Sequence, residues 1–120
     1  MTEFIYHITS RDAWSVAQNK GAFTTDSLKI AGFIHCSKAE QIIRVANNYY
    51  MGHPNLVILK IDTSRIKPPL NWEPGSDKTD ELFPHVYGPL NLDAVLGIFD
   101  FLPGADGKFL LPPEIGAIHS

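Results

Sequence analysis

The chain has 120 residues, 44% of them hydrophobic, which suits one domain able to bury about two-thirds of its unfolded surface around a single core. A formal net charge of −3 argues against the basic stripe that non-specific nucleic-acid or anionic-membrane binding requires. The lone Cys36 excludes an intramolecular disulfide, and the lack of a cationic–apolar leader or of an apolar run of about 18 residues leads to the expectation of a cytoplasmic protein.

Phe4-Ile5-Tyr6-His7-Ile8 is aromatic and β-branched and predicts a first strand. Thr9 or Ser10 then caps a helix running to about Lys20, where Gly21 stops it. Residues 22–31 read as a connector around the turn-prone Thr24-Thr25-Asp26-Ser27, and Gly32-Phe33-Ile34-His35-Cys36 as a second strand. Ser37-Lys38-Ala39-Glu40 has capping-box spacing, so a second helix is expected to start there, capped by the serine oxygen. Its apolar positions are Ile42, Val45, Ala46 and Tyr49, with the two tyrosines Tyr49 and Tyr50 at core and rim. Gly52-His53-Pro54 ends that helix before a strand from Leu56 to Ile61.

The second half is more heavily punctuated. Pro68-Pro69 and Pro74-Gly75-Ser76-Asp77 bracket the short segment Leu70-Asn71-Trp72-Glu73, and the polar run to Asp80 reads as an exposed loop. Leu82 to Tyr87 predicts a strand, with Pro84 on an edge or at a bulge because it cannot donate to a ladder. Val95 to Leu102 predicts a largely buried strand, Gly104-Ala105-Asp106-Gly107 a turn into Phe109-Leu110-Leu111, and residues 112–120 a loose tail beyond a core of about 4–111. The expected class is α+β, with mostly antiparallel strands in two small sheets forming a cleft and two main helices.

Polar side chains that interrupt apolar strands mark the chemistry. Period-2 alternation separates Phe4, Tyr6 and Ile8 from Ile5, His7 and Thr9, and it groups Phe33, His35 and Ser37 on one face and Phe83, His85 and Tyr87 on another. Three aromatic-flanked histidines could carry a proton near neutral pH or hold ribose and phosphate oxygens, while neighbouring rings stack on a flat heterocycle. The plain alternative for each is a packing residue bonded to a backbone carbonyl. Glu73, beside Trp72, is a candidate general base or ribose-hydroxyl acceptor, against the alternative of a solvated loop carboxylate. Ser37 at a helix start could bind an anion as well as cap the helix. Cys36 points away from His35 and reads as a buried thiol, and His53 and His119 as surface residues. Metal binding has little support, since no histidine pair has zincin spacing and only distant residues could converge on zinc; no Gly-rich phosphate loop is present.

Ile5-Tyr6-His7-Ile8-Thr9, Trp14, Gly32-Phe33-Ile34-His35-Cys36-Ser37, Trp72-Glu73 and Phe83-Pro84-His85-Val86-Tyr87-Gly88-Pro89-Leu90 together resemble the signature blocks of the domain of unknown function 952 family, over residues 4–102. That family is grouped with ADP-ribosyltransferase-like proteins, in which small antiparallel sheets form a cleft for NAD. The resemblance implies that Tyr6, His7 and Thr9 lie at the ribose or phosphate side of a nucleotide, and that His35 and Ser37 shape the nicotinamide-ribose pocket. Trp72 or Tyr87 would stack on a ring, with Glu73 or His85 in acid/base roles. The late strand carries His85 where transferases have a catalytic glutamate, and only Arg11, Arg44 and Arg65 are available for phosphates, fewer than an RNA 2′-phosphotransferase uses. Two readings follow from the resemblance: an enzyme that cleaves or transfers at the N-glycosidic carbon, with NAD as candidate substrate and no certain cofactor, and a non-catalytic small-nucleotide or metabolite-binding module. The expected partner is a small nucleotide-like ligand and not a membrane; the charge disfavours a nucleic acid, any contact with which would have to be local. The oligomeric state is not written in the sequence.

Overall fold

Strand β1 (Phe4–Ser10) runs directly into helix α1 (Arg11–Lys20) because Ser10 serves both, ending the strand with extended backbone and accepting the Ala13 amide on its hydroxyl at 3.0 Å. Gly21 ends the helix in the left-handed region at φ 85°, as its position predicts. The computed structural model describes residues 3–75 and 80–116. The order continues through β2 (Ala22–Phe23), α2 (Asp26–Ile30), β3 (Ile34–His35), a 3-10 turn (Ala39–Gln41), α3 (Ile42–Tyr49), β4 (Leu56–Asp62), β5 (Leu70–Pro74), β6 (Leu82–Val86), β7 (Leu90–Asn91), β8 (Val95–Phe101) and α4 (Pro113–Gly116).

All strand pairs are antiparallel, in an α+β arrangement, but the strands form three sheets where two were expected: β1-β4-β8, β2-β7 and β3-β6-β5. The central strand β4 is apolar almost throughout because both of its faces are covered. On one face Ile5, Val57, Leu59 and Ile61 pack with Trp14 and Ala17 of α1 and with Phe23. On the other, Tyr6, Ile8, Leu56 and Ile58 pack with Ile42 and Ala46 of α3 and with Phe101, Phe109 and Ile115. The core thus reaches Ile115, and the expected loose tail is docked at least that far; His119 lies outside the described residues.

Several expectations are corrected. Residues 22–31 hold a short strand and a short helix capped by Thr25, whose hydroxyl accepts the Leu28 amide, so a turn-prone run served as a helix start. The 3-10 turn is capped through Lys38 and Gln41, with the Lys38 amide donating to Gln41 Oε1 at 2.9 Å, which releases Ser37 from the capping role assigned to it. Pro84 sits in the central strand β6 and not on an edge. It is tolerated because β3 has only two residues, and beyond its end Pro84 contributes only a carbonyl, which accepts the Cys36 amide at 3.0 Å. Strand β8 is an edge strand and only partly covered, with Leu96 and Ile98 turned to solvent. Among the described residues no helix is long and apolar enough to cross a membrane.

Candidate functional site

Three segments converge where the β1-β4-β8 sheet meets the β3-β6-β5 sheet. Tyr6 and Ser37 exchange backbone hydrogen bonds at 2.8 and 2.7 Å, which clamps the middle of β1 against the chain following β3. Beside that clamp the His7 ring donates from Nδ1 to the His35 carbonyl oxygen at 2.5 Å. A carbonyl can only accept, so Nδ1 carries the hydrogen and Nε2 is left as a lone-pair acceptor. Burial pushes the His7 pKa down to about 4, and the ring is therefore neutral at physiological pH.

Register brings His35 of β3 directly opposite His85 of β6, while Glu73 of β5 faces Phe83, one diagonal step from His85. That diagonal is short enough for the His85 Nδ1–H to donate to Glu73 Oε1 at 2.8 Å, and the Tyr87 hydroxyl donates to the same oxygen at 2.5 Å. The two donors, Tyr87 first and His85 second, hold the Glu73 carboxyl below the usual glutamate range, and the carboxylate in turn pushes the Tyr87 hydroxyl up. Phe33 lies over this network, stacked on His85 with ring centres 4.1 Å apart and edge-on to His35 at 4.7 Å. Partial burial, and secondarily the neighbouring His85, lower the His35 pKa.

His7, His35 and His85 open onto one groove of about 710 Å³, together with Thr9, Ser37, the Thr24–Ser27 segment and one side of α3. Of the nine residues singled out in the sequence, five therefore line the groove: His7, Thr9, His35, Ser37 and His85. Glu73 and Tyr87 stand behind His85 as its hydrogen-bonded support. Two do not belong to it. Tyr6 is 2% exposed in the α3-side core, and Trp72 packs against the α1-side core, because alternation along each strand turns these rings away from His7 and Glu73. The residues missed were Phe33, which shared a face with His35 in the sequence pattern, and the polar side of α3. Cys36 is buried as expected, its thiol pushed up to about 12 by burial. Among the described residues no three His, Cys, Asp or Glu side chains are placed to hold a metal ion.

The arrangement is suited to proton transfer: one imidazole oriented by a carboxylate, a second held neutral with an acceptor nitrogen, and the residues Thr9 and Ser37 lining the same groove. The sequence profile of the family described as "Protein of unknown function (DUF952)" matches residues 8–98. The crystal structure of protein CC0527 from Caulobacter crescentus is similar, with 32% identity, a TM-score of 0.84 and coverage of 94% of this chain and 98% of that one. The solution NMR structure of CC0527 agrees at 34% identity and a TM-score of 0.75, covering 96% and 95% of the two chains. No curated protein matches the chain.

Proposed function

We propose that this chain, which belongs to the DUF952 family, is an enzyme whose groove takes NAD or an ADP-ribose-like nucleotide and uses His85 for acid/base chemistry at the N-glycosidic carbon. The choice of ligand, and with it an ADP-ribosyltransferase-like cleft, rests on the resemblance of the His7, His35–Ser37 and His85–Tyr87 blocks. The observation that carries the chemistry is the Glu73–His85 pair. Glu73 accepts from Nδ1, which fixes the tautomer with Nε2 as the free base and stabilises the imidazolium formed when that base takes a proton.

For NAD the balanced step is hydrolysis. A water oxygen bonds to the anomeric carbon, the C–N bond breaks with its electron pair returning to the pyridinium ring, neutral nicotinamide leaves, and His85 Nε2 takes the water proton. Of the two roles the resemblance implies for His7, the ribose one fits: a neutral ring cannot balance a diphosphate, but its Nε2 can accept a ribose hydroxyl. Ser37, free of capping duty, adds a hydroxyl on the same wall.

One observation favours a non-catalytic nucleotide-binding module as the second reading. By the resemblance, His85 stands on the late strand in the place of the transferase glutamate, while Glu73 lies on β5 with Oε1 bonded to His85 and Tyr87, so the fixed negative charge a transferase sets at its oxocarbenium-like centre is missing from that place. Thermal shift with NAD, ADP-ribose, AMP and nicotinamide, followed by chromatographic detection of nicotinamide release, separates the cases. A ligand at 100 times its Kd stabilises by about 2.7 kcal/mol, about 10 °C here. Binding with release that His85→Ala abolishes supports the enzyme. Binding without release supports the module, and no shift with any ligand removes both.

A further inference from the structure

Helix α3 divides its residues between two tasks. Ile42 and Ala46, one turn apart, are fully buried against the sheet, whereas Val45 and Tyr49, also one turn apart, line the groove beside Asn48. Tyr49 is 54% exposed, which the helical periodicity of the sequence did not foresee, and among the described residues its ring makes no ring–ring contact. His53 extends the same wall and is fixed there, its Nδ1 donating to the Tyr50 carbonyl at 3.1 Å.

We propose that this end of the groove is a base-binding subsite, in which Tyr49 stacks on a purine ring and the Asn48 amide reads the ring edge. An Asn side chain offers a donor and an acceptor that match the N6/N7 edge of adenine. The rest of the ligand runs along the continuous groove to His7, His35 and His85, and about 710 Å³ is within the range of sites that enclose ligands of this size. The subsite rests on the reading of the groove as a nucleotide site and adds to it the position and the chemical class of the base. It assigns adenine recognition to a helix that lies outside the histidine blocks.

The test is isothermal titration of wild type, Tyr49→Ala, Tyr49→Phe and Asn48→Ala with ADP-ribose and with ribose 5-phosphate. Tyr49→Ala is expected to weaken ADP-ribose about tenfold or more, as loss of one aromatic–base stack does, and to leave ribose 5-phosphate unchanged. Tyr49→Phe keeps the ring and is expected to bind like wild type, and Asn48→Ala to weaken only the base-bearing ligand. The substituted side chains are exposed, so unchanged melting temperatures confirm intact folds. Equal ADP-ribose affinity in Tyr49→Ala, or an equal loss for both ligands, overturns the subsite alone. If wild type binds neither ligand, the nucleotide reading falls and the subsite with it.

Discussion

His7 gives the structure a measurable pH dependence. Its pKa is about 4 in the folded chain against an ordinary 6.5, so on acidification the unfolded chain takes up the proton first. The stability tied to neutral His7 is therefore complete above pH 6.5 and declines as pH falls towards 4. The full difference of about 2.5 units corresponds to about 3.4 kcal/mol, of which about 2 kcal/mol is lost by pH 5. His7→Asn keeps an N–H able to reach the His35 carbonyl and removes the titration. Urea unfolding of both proteins at pH 7.5 and 5.0 should show wild type losing about 2 kcal/mol more than the variant, about 8 °C in Tm. The lowered carboxylates Glu73, Asp62 and Asp93 lose their contributions only below this window, and His35 is present in both proteins. Identical pH slopes in the two proteins would refute a buried, neutral His7.

Three further substitutions probe the frame of the site. Gln41 is fully buried, taking the Lys38 amide on Oε1 and donating from Nε2 to Glu81 and to the Leu82 carbonyl; Gln41→Leu is expected to cost about 2–4 kcal/mol in urea unfolding, and a loss below 1 kcal/mol would contradict this. His35 contributes its carbonyl, not its exposed ring, to the His7 bond, so His35→Ala should change stability by about 1 kcal/mol while removing nucleotide affinity in calorimetry. A large loss of stability with binding retained would make His35 a packing residue. Phe33→Leu removes the ring stacked on His85 and is expected to cost about 1 kcal/mol and to move the His85 ring-proton resonances downfield in NMR; unchanged resonances would contradict the stack.

How far the sequence carried depended on whether local signals agreed with tertiary placement. The first strand and helix were legible because Ser10 and Gly21 are strong caps and Trp14 and Ala17 mark one buried face. The three histidines were legible as a group because strand alternation set them apart from their apolar neighbours. Pro84 misled, since its cost depends on how long the neighbouring strand is, and β3 proves to have two residues. Ser37 misled because its capping-box spacing competed with a long-range bridge to Tyr6 that no local pattern records. Trp72 and Tyr6 were drawn into the site by adjacency in sequence to Glu73 and His7, although adjacency in a strand means opposite faces. Phe33 needed the register of β3 on β6, and the Glu73–Tyr87 bond that of β5 on β6, which places residues 14 apart within hydrogen-bonding distance.

The groove as a nucleotide site is tested most directly by histidine-selective NMR of the wild-type protein titrated with ADP-ribose. The account predicts saturable shifts in the ring resonances of His7, His35 and His85, with Nε2 of His7 and His85 the perturbed nitrogens and both Nδ1 hydrogens retained. Ring resonances that stay in place at millimolar ADP-ribose would contradict it and return the three histidines to packing roles.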